Sequence, residues 1–276
     1  MNLNLSEDQR MMRENFARFL NEESSKERVR AAQPGGFDQH LWLGLAEIGA
    51  FSMRVPEAAG GLGLGLLDAA VLMEEVGRTL ASGPIAETLV STRLLALLGA
   101  ESNAALLDQA MRGETIVSIA FHDIAVEPVQ WVAGGAVANF VIARKGNQIV
   151  LVDADTAAGS ESGLRAEENL ASTPLAELYL ADATQVLLSD TAAGRTAFAQ
   201  AIEEWKLLVA TALSGLSREA VQLAAAYACE REAFGQPIGT YQAISHPLAD
   251  RITDIDGGKY FVWKTIHDIA HSAPEA

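Results

Sequence analysis

Apolar residues recur at three- and four-residue steps through the first 112 positions, and this helical period predicts five helices there. Ser6 and Gln9 stand at capping-box spacing ahead of Met12, Phe16, Phe19 and Leu20, which share one face. Asp38 is placed to cap a second helix with an apolar side of Leu41, Trp42, Leu45 and Ile48, stopped by Gly49. A third helix, LLDAAVLMEEVGR, is expected to end at Gly77; a fourth runs from Pro84 to about Leu98 and a fifth from Ser102 to about Arg112. After Gly113 the period changes. TIVSIAF, ANFVIAR, QIVLVD, AELYLA and TQVLLS are short, β-branched runs broken by Gly, Asn and Asp, the signature of antiparallel strands. From about Thr196 the helical period returns, with Leu208, Val209, Leu213, Leu216, Ala220, Leu223 and Tyr227 in one stripe, until Gly235 and Pro237 interrupt it. A last helix carries Ile244, Leu248, Ile252, Ile255, Val262, Ile266 and Ile269.

This order predicts an α+β protein: an N-terminal helical domain over residues 1–112, a small antiparallel β domain over 113–192, and an incomplete C-terminal helical bundle over 193–276. The two long C-terminal helices have one-sided stripes and few companions. Their uncovered apolar surface requires partners from the N-terminal helices, another subunit or further chain.

Length and composition narrow the function classes. A chain of 276 residues, 49% hydrophobic and 20% charged, can bury a substantial core. Its 36 acidic and 20 basic residues give a net charge of −16, with no basic patch, which argues against nucleic acid or anionic membrane surfaces as partners. An anionic cofactor can still be held by one or two well-placed arginines. The opening MNLNLSEDQR lacks a basic stretch followed by an apolar one, and no apolar run approaches a membrane span, so a cytoplasmic protein is expected. The single cysteine, Cys229, rules out an internal disulfide framework and is expected to be a small core residue. Gly60, Gly61, Gly63 and Gly65 lack the GxGxxG spacing of a dinucleotide loop and follow helices, which predicts a close-packed turn.

The most specific stretch is REAFGQPIGTYQAISHPLAD, from Arg231 to Asp250, a charged, aromatic, Gly/Pro-punctuated connector between the two last helices. It resembles the R-x-x-F-G-x-P-I-x-x-x-Q-A-I-x-H-x-L-A-D signature of the acyl-CoA dehydrogenase family. The LSEDQ opening, the GGLGLGLLDAAVLMEEVGR stretch and the helix–β–helix order agree, so the resemblance spans nearly the whole chain. It implies FAD as cofactor, with Arg231 and Phe234 beside it and Gln242 helping to hold its adenosine half, commonly across a subunit interface. A guanidinium suits pyrophosphate and a ring edge suits flavin or adenine. The implied reaction is α,β-dehydrogenation of an acyl-CoA thioester: a glutamate takes the α-proton, hydride leaves the β-carbon for flavin N5, and electrons pass to an electron-transfer flavoprotein. A homo- or hetero-oligomer is implied, since some relatives acting on sterol-like side chains pair an active with a degenerate subunit.

The chain departs from that pattern at three places. Where relatives carry a T-E-P-x-x-G-S-D-like segment, it has SIAFHDIAVEP. Trp131-Val132-Ala133 matches a W-x-[TS] element with alanine at the hydroxyl position; Trp131 is then either a flavin neighbour or a core indole. The helices that usually supply the catalytic glutamate would lie beyond Ala276. A minority of relatives carry it on the first long C-terminal helix, at the position aligned with Trp205, beside Glu203 and Glu204; those two are expected to be a solvated acidic pair. The catalytic base is therefore unassigned. His267 and His271 are spaced to face a metal together but lack a third ligand, so no metal site is expected, and His246 is expected to cap or pack.

Overall fold

A computed structural model describes residues 4–33, 35–99, 101–158, 165–166 and 169–271. The N-terminal helices are α1 (Glu7–Glu23), α2 (Lys26–Ala31), α3 (Gln39–Glu47), α4 (Leu66–Thr79), α5 (Ile85–Leu97) and α6 (Ala104–Met111). The capping box forms as expected: Ser6 N donates to Gln9 Oε1 and Gln9 N to Ser6 Oγ, both at 3.1 Å. Asp38 caps α3 by accepting from the backbone of His40 and Leu41, and Gly49 follows in the left-handed region at φ 83°. α2 carries too short an apolar pattern to be legible; Ser25 caps it, and Arg28 ties it to Asp38 with two bonds of 2.9 Å and one of 3.0 Å.

Gly77 does not end α4. It lies inside the helix, because a Cβ there would stand 1.8 Å from the carbonyl oxygen of Ala212: a close approach of two backbones imitates a stop signal. The glycine loop is the close-packed turn expected, since a Cβ on Gly61 would lie 2.2 Å from Val55 O.

The strands are β1 (Val117–Ile119), β2 (Val129–Val132), β3 (Phe140–Lys145), β4 (Gln148–Asp153), β5 (Arg165–Ala166), β6 (Ala176–Tyr179) and β7 (Gln185–Ser189), with a short α7 (Ala154–Ala158) after β4. They form two sheets, β1-β3-β4-β7 and β2-β6-β5. All pairings between these strands are antiparallel except one: β1 runs parallel to β3, Val117 opposite Phe140. The small antiparallel domain expected is present with that one exception, which arises because the chain makes β2 in a different sheet before returning to β3. α8 (Ala192–Glu230) and α9 (Gln242–His271) follow, joined by a two-stranded ribbon of β8 (Glu232–Ala233) and β9 (Gln236–Pro237).

Two compact units result, each discontinuous in sequence. One comprises residues 23–69 and 81–206: both sheets, α2, α3, α5, α6, α7 and the first part of α8. Its core includes Trp42, whose indole donates to Gly113 O at 3.1 Å and packs on Phe51. The other comprises residues 1–22, 70–80 and 207–276, in which Phe16, Leu20, Leu208, Val262 and Ile266 are buried. In this second unit Leu213, Leu223, Tyr227, Ile244, Phe261 and Ile269 stay exposed, so the apolar stripes of α8 and α9 are only partly covered.

Candidate functional site

The connector between α8 and α9 is a β-hairpin whose two central residues are both left-handed, Phe234 at φ 55° and Gly235 at φ 80°. Glycine adopts that geometry freely, whereas a phenylalanine there costs on the order of 1–3 kcal/mol. The turn is braced from behind: Arg231 N bonds Tyr227 O at 2.8 Å, Ile238 N bonds Arg231 O at 2.8 Å, and Tyr241 Oη donates to Ala233 O at 3.0 Å. Gly239 lets the loop pack back on α8, with 3.0 Å between its would-be Cβ and Ala228 O.

This bracing leaves the side chains of Arg231, Phe234 and Gln242 facing outward. Phe234 is 97% exposed, its ring edge-on to that of Tyr241 with centroids 6.5 Å apart. Arg231 is exposed, and its guanidinium has no ion pair among the described residues; Gln242 opens α9 with its amide exposed. The structure thus brings Arg231, Phe234 and Gln242 onto one short segment of the helical unit. A cation, an aromatic edge and an amide are a chemically sensible donor set for a flavin dinucleotide, and they are presented as an open surface.

Trp131 lies in the other unit, on β2, the edge strand of its sheet, opposite Glu177 of β6. It is 47% exposed, so it is not a core indole; the buried positions of that strand are Gln130 and Val132. Around it the SIAFHDIAVEP segment spends its polar groups on its own shape. Ser118 Oγ donates to Ala133 O, the Asp123 carboxylate accepts from Ala125 N and Gly146 N, and Gln130 Nε2 donates to His122 O and Glu127 O.

The aligned base position holds a different arrangement. Trp205 Nε1 donates to Glu87 Oε1 at 2.8 Å, and its ring packs on Phe121 with centroids 4.3 Å apart. Glu87, in the first turn of α5, is only 8% exposed, and burial pushes its carboxyl above the usual range, partly opposed by the indole bond. Glu203 is solvated as expected, paired with Lys206 at 2.7 Å. Glu204 is not: it is buried, its carboxylate held by Arg54 at 2.9 Å and Arg93 at 3.1 Å. Glu87 gives no local signal of this, because an acid in a first helical turn ordinarily faces water and the dipole, and Arg54 gives none because it stands in a turn. Only tertiary packing, of α5 and the loop after α3 against α8, withdraws these groups from solvent.

Two smaller expectations change, and a third is left open. Cys229 is exposed rather than in the core, since α8 has no cover on that side in its unit. His246 is exposed on the first turn of α9 and makes no capping bond; Ser245 Oγ instead bonds Tyr241 O. The His271 side chain lies outside the described residues, so the paired-histidine reading is left without its second member; no three His, Cys, Asp or Glu residues converge among those described.

A buried Glu87 titrating above its unfolded value has a definite sign. The unfolded carboxyl ionises near its ordinary range while the folded one keeps its proton, so between the two values rising pH favours unfolding. Glu87→Gln keeps an acceptor for Trp205 and removes the titration. The melting temperature of the variant is therefore expected to gain on the wild type as pH rises from 4 to 8, and a difference independent of pH is the contrary result.

Two family models match this chain: the acyl-CoA dehydrogenase N-terminal domain over residues 6–114 and the C-terminal domain over residues 192–276. Acyl-CoA dehydrogenase IpdE2 of Mycolicibacterium smegmatis is 31% identical across 95% of this chain and 78% of its own length. The chain belongs to the acyl-CoA dehydrogenase family. Benzylmalonyl-CoA dehydrogenase of Aromatoleum aromaticum is 28% identical over 95% of the chain and 79% of that protein. Among solved structures, a variant of the Tcur3481-Tcur3483 steroid ACAD superposes with a TM-score of 0.83 at 26% identity, over 97% of this chain and 79% of that one. The ChsE4-ChsE5 complex from Mycobacterium tuberculosis shares the fold, with a TM-score of 0.84 at 23% identity, over 99% and 80%. The acyl-CoA dehydrogenase family consists of flavin-dependent oxidoreductases, and this member is placed in that enzyme class. None of its described helices is long and apolar enough to cross a membrane.

Proposed function

We propose that this chain catalyses FAD-dependent α,β-dehydrogenation of an acyl-CoA thioester as one subunit of a heteromeric acyl-CoA dehydrogenase that passes electrons to an electron-transfer flavoprotein. The observation that carries this reading is the hairpin: a strained, 97% exposed Phe234 beside an Arg231 guanidinium that has no ion pair among the described residues. Strain and exposure together have no use in a free surface loop. They make sense where a second surface closes over a bound dinucleotide, with Arg231 on pyrophosphate, the Phe234 ring on an aromatic face and the Gln242 amide on the adenosine half. FAD, when bound, supplies a hydride acceptor.

The chain's own carboxylates support placing the base elsewhere. Glu203 is engaged by Lys206, Glu204 is fixed between two arginines, and Glu87 is buried against the Trp205 indole, which donates to it. The partner subunit then supplies the group that takes the α-proton; the Tcur3481-Tcur3483 and ChsE4-ChsE5 structures are the precedent for pairing two different chains. The same set favours a second reading, a non-catalytic structural subunit, because a half-buried Trp205 bonded to the buried Glu87 occupies the aligned base position.

The absorbance spectrum of the protein, alone and with the product of the neighbouring gene, separates the two. A flavin band and acyl-CoA-dependent reduction of an electron acceptor are expected of the enzyme. Arg231→Ala is expected to weaken FAD retention about 10–100-fold, the loss that accompanies one charged hydrogen-bonding partner. A colourless complex whose assembly ignores Arg231→Ala overturns the catalytic reading in favour of the structural one.

A further inference from the structure

A second polar site lies in the helical unit, formed by residues of four helices. A pocket of about 350 Å³ is lined by Arg13 of α1, Glu74, Glu75 and Arg78 of α4, Gly215 and Arg218 of α8, and Asp256, Lys259 and Tyr260 of α9. Four cations converge there in a chain with a net charge of −16. Its three carboxylates are each engaged by a different cation. Lys259 Nζ bonds Glu74 at 2.7 Å, Arg78 Nε bonds Glu75 at 2.6 Å, and Arg218 Nη2 bonds Asp256. The Glu74–Lys259 pair is nearly buried, its side chains 11% and 13% exposed, and Lys259 also lies 4.8 Å from the centre of the Trp263 ring.

One guanidinium is left over. Arg13 lines the pocket and is half-buried, and its guanidinium makes no hydrogen bond or ion pair among the described residues. Arg78 and Arg218 each keep N–H groups unused: Arg78 spends Nε on Glu75 and Nη2 on Asn21, and Arg218 spends Nη2 on Asp256. The pocket therefore holds one uncompensated positive charge and forked donors from three helices. Planar guanidinium forks match tetrahedral oxyanions better than they match halide, and partial burial strengthens each contact.

We propose that this pocket binds a phosphate group, with Arg13 as the residue that supplies the unpaired charge. The site is separate from the connector hairpin and does not depend on flavin binding or on the catalytic reading. Three neighbouring carboxylates oppose the anion, so binding is weak, and its specificity lies in geometry rather than in bulk charge.

The test is calorimetric titration of the full chain with inorganic phosphate at constant ionic strength set by sodium chloride. A parallel titration with glycerol 3-phosphate, which carries no coenzyme A moiety for the proposed substrate site, distinguishes free phosphate from a phosphate monoester as its source. Saturable binding of at least one of the two at one site per chain is expected. Arg13→Gln is expected to weaken it at least tenfold, whereas Arg10→Gln, three residues earlier on α1 and outside the pocket, leaves it unchanged. Absence of saturable binding in the wild type overturns the proposal, whether or not the variants fold. Equal weakening by Arg13→Gln and Arg10→Gln also overturns it, because it reports only the general field of the surface.

Discussion

Glu204→Leu is expected to destabilise the protein by about 3–5 kcal/mol, lowering the urea midpoint without changing the slope. Glu204 sits in the part of α8 that packs within the sheet-containing unit, with Arg54 from the loop after α3 on one carboxylate oxygen and Arg93 from α5 on the other. The side chains of Arg54 and Glu204 are 9% and 11% exposed, so solvent screens little of the interaction. Two arginines already exceed one carboxylate, and Arg54 Nε is buried without an acceptor. Removing Glu204 leaves two cations to repel each other at low dielectric. Burial lowers the Arg93 pKa and Arg54 adds to that effect, opposed by Glu204, yet an arginine stays charged and has no neutral form to retreat to. Replacing all three residues with apolar side chains of similar volume is expected to recover most of the loss, because the cost lies in the unpaired charges rather than in the missing bridge. A loss below about 1 kcal/mol for Glu204→Leu, on the scale of exposed pairs, would falsify this account of the triad.

Gly215→Val is expected to cost about 3 kcal/mol or more, or to prevent folding of the helical unit. A Cβ at 215 would stand 1.9 Å from Glu74 O, and a Cβ at Gly77 on the facing helix would stand 1.8 Å from Ala212 O. Two glycines, one on α4 and one on α8, let the two backbones touch, and neither obstacle is a flexible side chain that could move aside. The helices must separate, and the Glu74–Lys259 pair must open with them. Gly257 and Gly258 on α9 are the control. Nothing lies within 4 Å of a Cβ at either, so Gly257→Ala is expected to stabilise the chain by roughly 0.5–1 kcal/mol through helix propensity. Guanidinium unfolding followed by circular dichroism measures both, and a near-neutral Gly215→Val is the outcome that contradicts close backbone contact.

The contrast between these glycines shows where sequence reading stops. Gly49 and Gly235 carry a local requirement, a positive φ, and both were legible as helix-ending signals. Gly77 has no such requirement; its reason lies on another helix more than a hundred residues away, which is why it imitates a terminus. The parallel pairing of β1 with β3 was hidden for a similar reason, since each strand has the same β-branched composition whichever way its neighbour runs. β2 was missed because only Gln130 and Val132 of its four residues turn inward.

The candidate site divides in the same way. Arg231, Phe234 and Gln242 were identifiable because a long connector motif fixes residue types at fixed spacing, and the hairpin places all three on one exposed segment. That Trp131 faces outward, that Glu204 is buried between arginines and that Glu87 is held by Trp205 followed from packing alone.

By itself the sequence determined the helix periods, the caps at Ser6 and Asp38, the strand-rich middle and the signature that places the chain among the acyl-CoA dehydrogenases. These are properties of neighbouring residues, written at short range. Tertiary structure alone decided which charges lose their water, which glycines are contact points and which apolar stripes remain uncovered. Desolvation and backbone approach depend on segments far apart in the chain, and no local pattern encodes the distance between them.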